Sequence, residues 1–174
     1  MADPFAALKK DHREVEDLFA QYERSGDYET VMQLCRELAV HSMVEEELVY
    51  PLLRSKVSVG LADEARDEHQ EAKDIITRIE GLAPEDEGLA DAVAELKAAV
   101  EHHVQEEESE VFPRMEKELP DITSILGPDI EARKTVLLER ARADKEQGLP
   151  PSASSQKPVA TQGSVTGDQP RTEP

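Results

Sequence analysis

Tryptophan is absent from this chain, and phenylalanine and tyrosine supply only three residues each. So thin an aromatic complement, beside abundant Ala, Leu, Glu, Lys and Arg, argues against strands and for helices. Cysteine occurs once, at Cys35, which excludes an internal disulfide framework and any thiolate cluster for zinc or iron–sulfur. No apolar run approaches the roughly 18 residues that a membrane span needs, and the N-terminus lacks the basic and apolar regions of a signal peptide. A reducing cytoplasm is therefore the expected compartment. Cations are outnumbered as well: 20 Lys and Arg face 39 Asp and Glu, a formal net charge of −19. Neither nucleic acid nor an anionic membrane surface is an expected partner of such a chain.

What is present is a repeat. His41 to Pro51 reads His-Ser-Met-Val-Glu-Glu-Glu-Leu-Val-Tyr-Pro, and His103 to Pro113 reads His-Val-Gln-Glu-Glu-Glu-Ser-Glu-Val-Phe-Pro, an offset of 62 residues. Each copy carries His-x-x-x-Glu, as His41/Glu45 and His103/Glu107. On a helix, residues i and i+4 stand one above the other, so an imidazole and a carboxylate can approach one ion together.

Taken in order, the chain reads as helices with short links. Asp3-Pro4 is a helix start, and Phe5, Leu8, His12, Val15, Phe19 and Tyr22 form an amphipathic stripe closing near Ser25-Gly26. A second helix is expected over 28–53, with Val31, Leu34, Leu38, His41, Glu45, Leu48 and Leu52 inward, loosened or ended by Pro51. A third, over 59–82 and capped by Ser58, carries Ala62, Ala65, His69, Ala72, Ile76 and Ile79. A fourth, over 88–119, carries Leu89, Val93, Leu96, Val100, His103 and Glu107. Around His12 and His69 the first and third helices also resemble each other, so a helix pair is used twice. The expected fold is an all-α, up-down-up-down four-helix bundle over residues 1–120. An additional C-terminal helix is expected within 121–147, opened by Gly127-Pro128-Asp129 and holding Ile130, Val136, Leu137, Leu138 and Ala141. In residues 148–174, 15 of 27 are Pro, Gly, Ser or Thr, a composition that predicts a disordered tail.

Six polar residues fall on inward stripes: His12, His41, Glu45, His69, His103 and Glu107. One core histidine is usually hydrogen-bonded and inert. Four, one per helix, beside two core carboxylates are another matter, because an unpaired buried carboxylate costs several kcal/mol. No Lys or Arg on these stripes stands level with Glu45 or Glu107. Metal would satisfy all six. Imidazole and carboxylate without thiolate suit iron, ahead of manganese or zinc. The count exceeds the needs of one ion and fits two, about 3.5–4 Å apart, bridged by the glutamates. His12 and His41 are assigned to one ion, and His69 and His103 to the other. His102 is read as a surface residue, and Glu46, Glu47, Glu106 and Glu108 as a solvated acidic face, with support of the ligands or iron entry as their alternative role. Tyr50 and Phe112 are read as core residues at the bundle end, with the Tyr50 hydroxyl reaching the site or a bound oxygen species as the alternative for that residue.

The succession His12, His41-x-x-x-Glu45, His69, His103-x-x-x-Glu107 resembles the hemerythrin-like, or HHE cation-binding, family over roughly residues 4–118, and its bacterial, actinobacterial-type members in particular. The resemblance implies a non-haem di-iron centre: two Fe ions, oxo- or hydroxo-bridged, held by the six residues as ligands. Two departures separate the chain from the oxygen carriers of the family. Lys73 stands where those have a second third-helix histidine, and Glu107 at i+4 replaces an aspartate at i+5, where Glu108 stands. The missing histidine shifts the expectation from oxygen carriage to binding of, or reaction with, peroxide, nitric oxide or oxygen. A peroxidase- or catalase-like or nitric-oxide-directed oxidoreductase is one outcome. An iron- or oxygen-sensing or iron-buffering protein without turnover is the other.

Overall fold

The computed structural model of the chain describes residues 3–152, the side chains of 123–125 excepted. Helix α1 covers Ala6–Ser25. Asp3 does not cap it directly: its Oδ1 accepts the Phe5 N–H at 2.8 Å, closing a turn in front of the helix. The helix ends at Gly26, whose φ of 64° lies in the left-handed region that costs glycine nothing. Asp27 then caps α2, Tyr28–Val44, by accepting the Thr30 N–H at 3.0 Å.

Beyond Val44 the second rod departs from the simple expectation. It passes through a π-helical turn, Glu45–Val49, a short α segment α3, Tyr50–Leu52, and a second π-helical turn, Leu53–Val57. The rod thus runs through Pro51 to Val57 instead of ending near Leu53. In a regular α-helix the Pro51 ring would collide with the carbonyl of Glu47. Widening the turn before it, so that the Tyr50 N–H donates to the Glu45 carbonyl, removes that collision and lets the rod continue. The second copy does the same. Helix α5, Gly88–Glu106, runs into the π-helical turn Glu107–Val111, where the Phe112 N–H donates to the Glu107 carbonyl, and on into α6, Phe112–Glu118. Between the two lies α4, Val59–Glu80, capped by Ser58 accepting the Leu61 N–H at 3.3 Å.

Short links make α1 with α2, and α4 with α5, antiparallel hairpins, and the two hairpins close the bundle. Helix α7, Ile122–Glu146, completes an all-helical fold. It starts five residues before Gly127 and carries Pro128 in its interior. The expected start was misplaced because Ile122 and Leu126 continue the buried stripe of Ile130, Leu137 and Ala141, while Val136 points outward. Of the expected tail, residues 148–152 lie against the bundle: Arg36 donates to the Leu149 carbonyl at 2.7 Å, and Ser152 Oγ lies 2.7 Å from Glu80. Residues 153–174 fall outside the described residues. No described helix is long and apolar enough to cross a membrane.

The core is divided. One apolar cluster holds Phe5, Leu8, Val44, Tyr50, Phe112 and, from α7, Leu126, Ile130 and Leu137. The other holds Val15, Phe19, Leu34, Leu38, Ile76, Leu89 and Leu96. Between Leu8 and Val15 on α1, and between Leu38 and Val44 on α2, come His12 and His41. A polar layer is thus sealed between two oily ones.

Candidate metal centre

That layer brings together all six residues singled out in the sequence. None is more than 7% exposed, and Glu45 is completely buried. Their nitrogens and oxygens form two groups, His12, His41, Glu45 and Glu107, and then Glu45, His69 and His103, sharing Glu45. Nε2 of His12 lies 3.2 Å from that of His41, and Nε2 of His69 lies 3.0 Å from that of His103. Glu45 Oε2 stands between the pairs, 3.1 Å from His41 and 3.3 Å from His69. Glu107 Oε2 stands 3.5 Å from both His12 and His103. His102 points to the surface, as its 100° offset from His103 requires.

All four Nε2 atoms face inward, so each ring presents Nδ1 outward, and each outer nitrogen faces a carboxylate. His12 Nδ1 is 2.8 Å from Glu108, His69 Nδ1 is 3.2 Å from Glu46, and His103 Nδ1 is 2.7 Å from Glu68. His41 Nδ1 is 3.5 Å from Asp11, near enough for ionic attraction but not aligned for a hydrogen bond. Cations back the acids in turn: Arg13 grips Glu108 with two hydrogen bonds, Lys73 holds Glu46, and Lys134 of α7 holds Asp11. This is the arrangement that fixes the tautomer and raises the basicity of a ligating imidazole. Glu46 and Glu108 therefore belong to the centre and not to a solvated face. Asp11 and Glu68 escaped the sequence reading altogether. The signal was there: an acid precedes each of His12 and His69, and an acid follows each of Glu45 and Glu107.

Tyr50 is a core residue, as expected, and its hydroxyl also reaches the site. Five residues beyond Glu45, a regular helix would turn it about 140° away. The π-helical turn restores it to the ligand face. Its hydroxyl donates to Glu107 Oε1 at 3.1 Å and lies 3.0 Å from His69 Nε2. Phe112, its counterpart in the second copy, has no hydroxyl and stacks on Phe5 at 4.2 Å between ring centres. Lys73, in the place of the carriers' histidine, turns outward to Glu46.

The electrostatics match a cluster of donors pressed together. Burial disfavours charge on His41, but Glu45, Asp11 and Glu107 outweigh it and push its pKa up to about 10. Burial would likewise raise Glu45, yet His41 and His69 hold it well below the ordinary carboxylate range. Glu46 is held down to about 2, its burial overcome by His69 and Lys73. Tyr50 is raised well above its usual value, by burial first and then by Glu107 and Glu45, so it stays a neutral phenol. Even so, Glu45 Oε1 and Glu107 Oε2 are buried without any hydrogen-bond partner. Glu107 Oε2, between His12 and His103, and Glu45 Oε2, between His41 and His69, face imidazole nitrogens in a way that fits a cation of the nitrogen- and oxygen-loving kind. On the side away from Tyr50 the four imidazoles border a cavity of about 20 Å³, walled by Val15, Leu38, Ala72 and Val100. That is room for about one water-sized molecule.

Comparison with known proteins points the same way. The model of the hemerythrin HHE cation binding domain matches residues 3–115. A DNA nickase from Nostoc sp. is 29% identical over 138 residues, covering 76% of this chain and 39% of that protein. An uncharacterized hemerythrin-like protein from Schizosaccharomyces pombe is 29% identical over 126 residues, covering 68% of this chain and 62% of that protein. The chain thus spans less than two thirds of the length of either relative. A crystal structure of a hemerythrin HHE cation binding domain-containing protein from Mycobacterium kansasii shares the fold, with a TM-score of 0.70 at 21% identity, over 88% of this chain and 99% of that one.

Proposed function

This chain belongs to the hemerythrin HHE cation-binding family, and from that premise we propose that it is a non-haem di-iron protein that binds or reacts with a small oxidant. In this reading His12 and His41 would hold one iron and His69 and His103 the other, with Glu45 and Glu107 as the carboxylate ligands. The observation that carries it is the convergence of four buried imidazole Nε2 atoms on Glu45 Oε2 and Glu107 Oε2, the latter without a hydrogen bond among the described residues. When bound, iron supplies a Lewis acid and a reversible store of electrons for peroxide, nitric oxide or oxygen. The chain's own residues do the rest. Four outer carboxylates orient the imidazoles. Tyr50, neutral and buried, keeps its proton on the hydroxyl and can donate it as a hydrogen bond at the floor of the centre. Lys73 lies outside the imidazole layer, so the third helix gives one imidazole where the carriers give two. The small cavity beside the imidazoles, whose exposed lining is mostly apolar, offers a place for a small molecule next to the centre. A cytoplasmic setting belongs to this proposal.

Turnover of hydrogen peroxide by the iron-loaded protein, abolished in His41→Ala and Glu45→Ala, is the expected result. A fully iron-loaded protein no faster than free iron would reject the enzyme reading and favour the second one, an iron or oxygen sensor or an iron buffer. The wide acidic surface, −19 in formal charge, suits that alternative because it gathers cations. The same charge is why the activity named for the Nostoc relative, a nickase, is not proposed for this chain: there is no excess of cations to meet a phosphate backbone.

A further inference from the structure

We propose that a small uncharged ligand reaches the centre between α1 and α5, through a gate formed by Val15, Val100 and Val104. The inference rests on reading the buried cluster as a metal centre. The inner cavity beside the imidazoles has a neighbour of about 190 Å³ on the surface between α1 and α5. The two share four wall residues, His12, Val15, Val100 and Val104. One layer of side chains therefore separates the centre from a groove open to solvent. Val15 and Val100 are buried and Val104 is partly buried, and with the edge of His12 they form a single layer of side chains and not a thick core.

The floor is blocked by Tyr50, Glu45 and Glu107, with the Phe5–Phe112 stack nearby. The surface cavities beside α7 and along α4 touch none of the four imidazoles. Chemistry sets what the valine gate admits. An ion crossing between the three valines loses hydration that their methyl groups cannot replace, whereas a neutral molecule loses little. The mouth does not favour anions either, because its cations are already paired: Lys97 with Glu23 at 2.5 Å, and Arg13 with Glu108 at 2.8 Å. The gate thus selects nitric oxide, oxygen or undissociated peroxide over azide, nitrite or superoxide.

Binding kinetics separate a gate from a ligand. In the iron-loaded protein, stopped-flow mixing with nitric oxide gives association and dissociation rates for wild type, Val104→Phe and Val104→Ala. Phenylalanine is expected to slow both rates by roughly tenfold, alanine to quicken both, and the equilibrium constant and iron content to stay unchanged. Val136→Phe, on the exposed face of α7, is expected to behave as wild type. Unchanged rates in both Val104 variants would overturn the gate while leaving the metal centre intact. A shift in the equilibrium constant alone would overturn it too, since that marks an altered centre and not an altered path. Failure of the wild-type chain to take up iron would overturn the metal reading, and the gate with it.

Discussion

At the scale of single residues, the centre is a balance of buried charges, and that balance sets how the metal-free protein answers to pH. His41, raised from 6.5 to about 10, contributes stability that is complete below 6.5 and lost as pH rises through about 10. Glu46, lowered from 4.5 to about 2, contributes stability that is complete above 4.5 and lost as pH falls through about 2. The metal-free protein is therefore expected to be most stable between those two unperturbed values, with its urea midpoint falling on either side. A midpoint that climbs steadily from about pH 6 to 10 would contradict these shifts. The same protons compete with metal, so uptake should strengthen as pH rises through neutrality. The ligand candidates were legible in the sequence because a polar residue on an apolar stripe is conspicuous. Asp11 and Glu68 were not, because an acid at the edge of a stripe looks the same whether it faces water or an imidazole on the next helix.

At the scale of helices, the caps and stripes gave good boundaries for α1 and α4: Gly26 and Ser58 carry their own conformational reasons. The π-helical turns were invisible, since periodicity presumes one pitch throughout. They matter because they swing Tyr50 onto the ligand face. If Pro51 is what holds the widened turn open, Pro51→Ala restores a donor N–H and lets the rod tighten. The Tyr50 hydroxyl should then leave Glu107 and His69, and one of the chain's three tyrosines should titrate nearer the ordinary value in ultraviolet absorbance. An unchanged tyrosine titration would show that packing around Tyr50, not the proline, sets the turn. The start of α7 was misread for a related reason. Gly127-Pro128 is a strong breaking signal locally, and the burial of Ile122 and Leu126 overrides it.

At the scale of the whole molecule, α7 is part of the bundle and not an appendage. Its Leu126, Ile130 and Leu137 share one core with Phe5, Tyr50 and Phe112, and its Arg133 and Lys134 hold Glu47 and Asp11 beside the centre. Ile130→Ala is accordingly expected to cost about 2–5 kcal/mol in denaturant unfolding of the whole chain. A loss confined to a few tenths would mean that α7 folds apart from the rest. The bundle itself was readable from composition and the doubled helix pair; where α7 docks was not, because a mixed charged helix does not announce which face it buries. Metal analysis decides whether the buried imidazoles and carboxylates hold iron. Purified from iron-replete cells, the wild-type chain should carry two irons, and His41→Ala or Glu45→Ala should carry one or none. Iron-free wild type, or variants that keep a full complement, would contradict it.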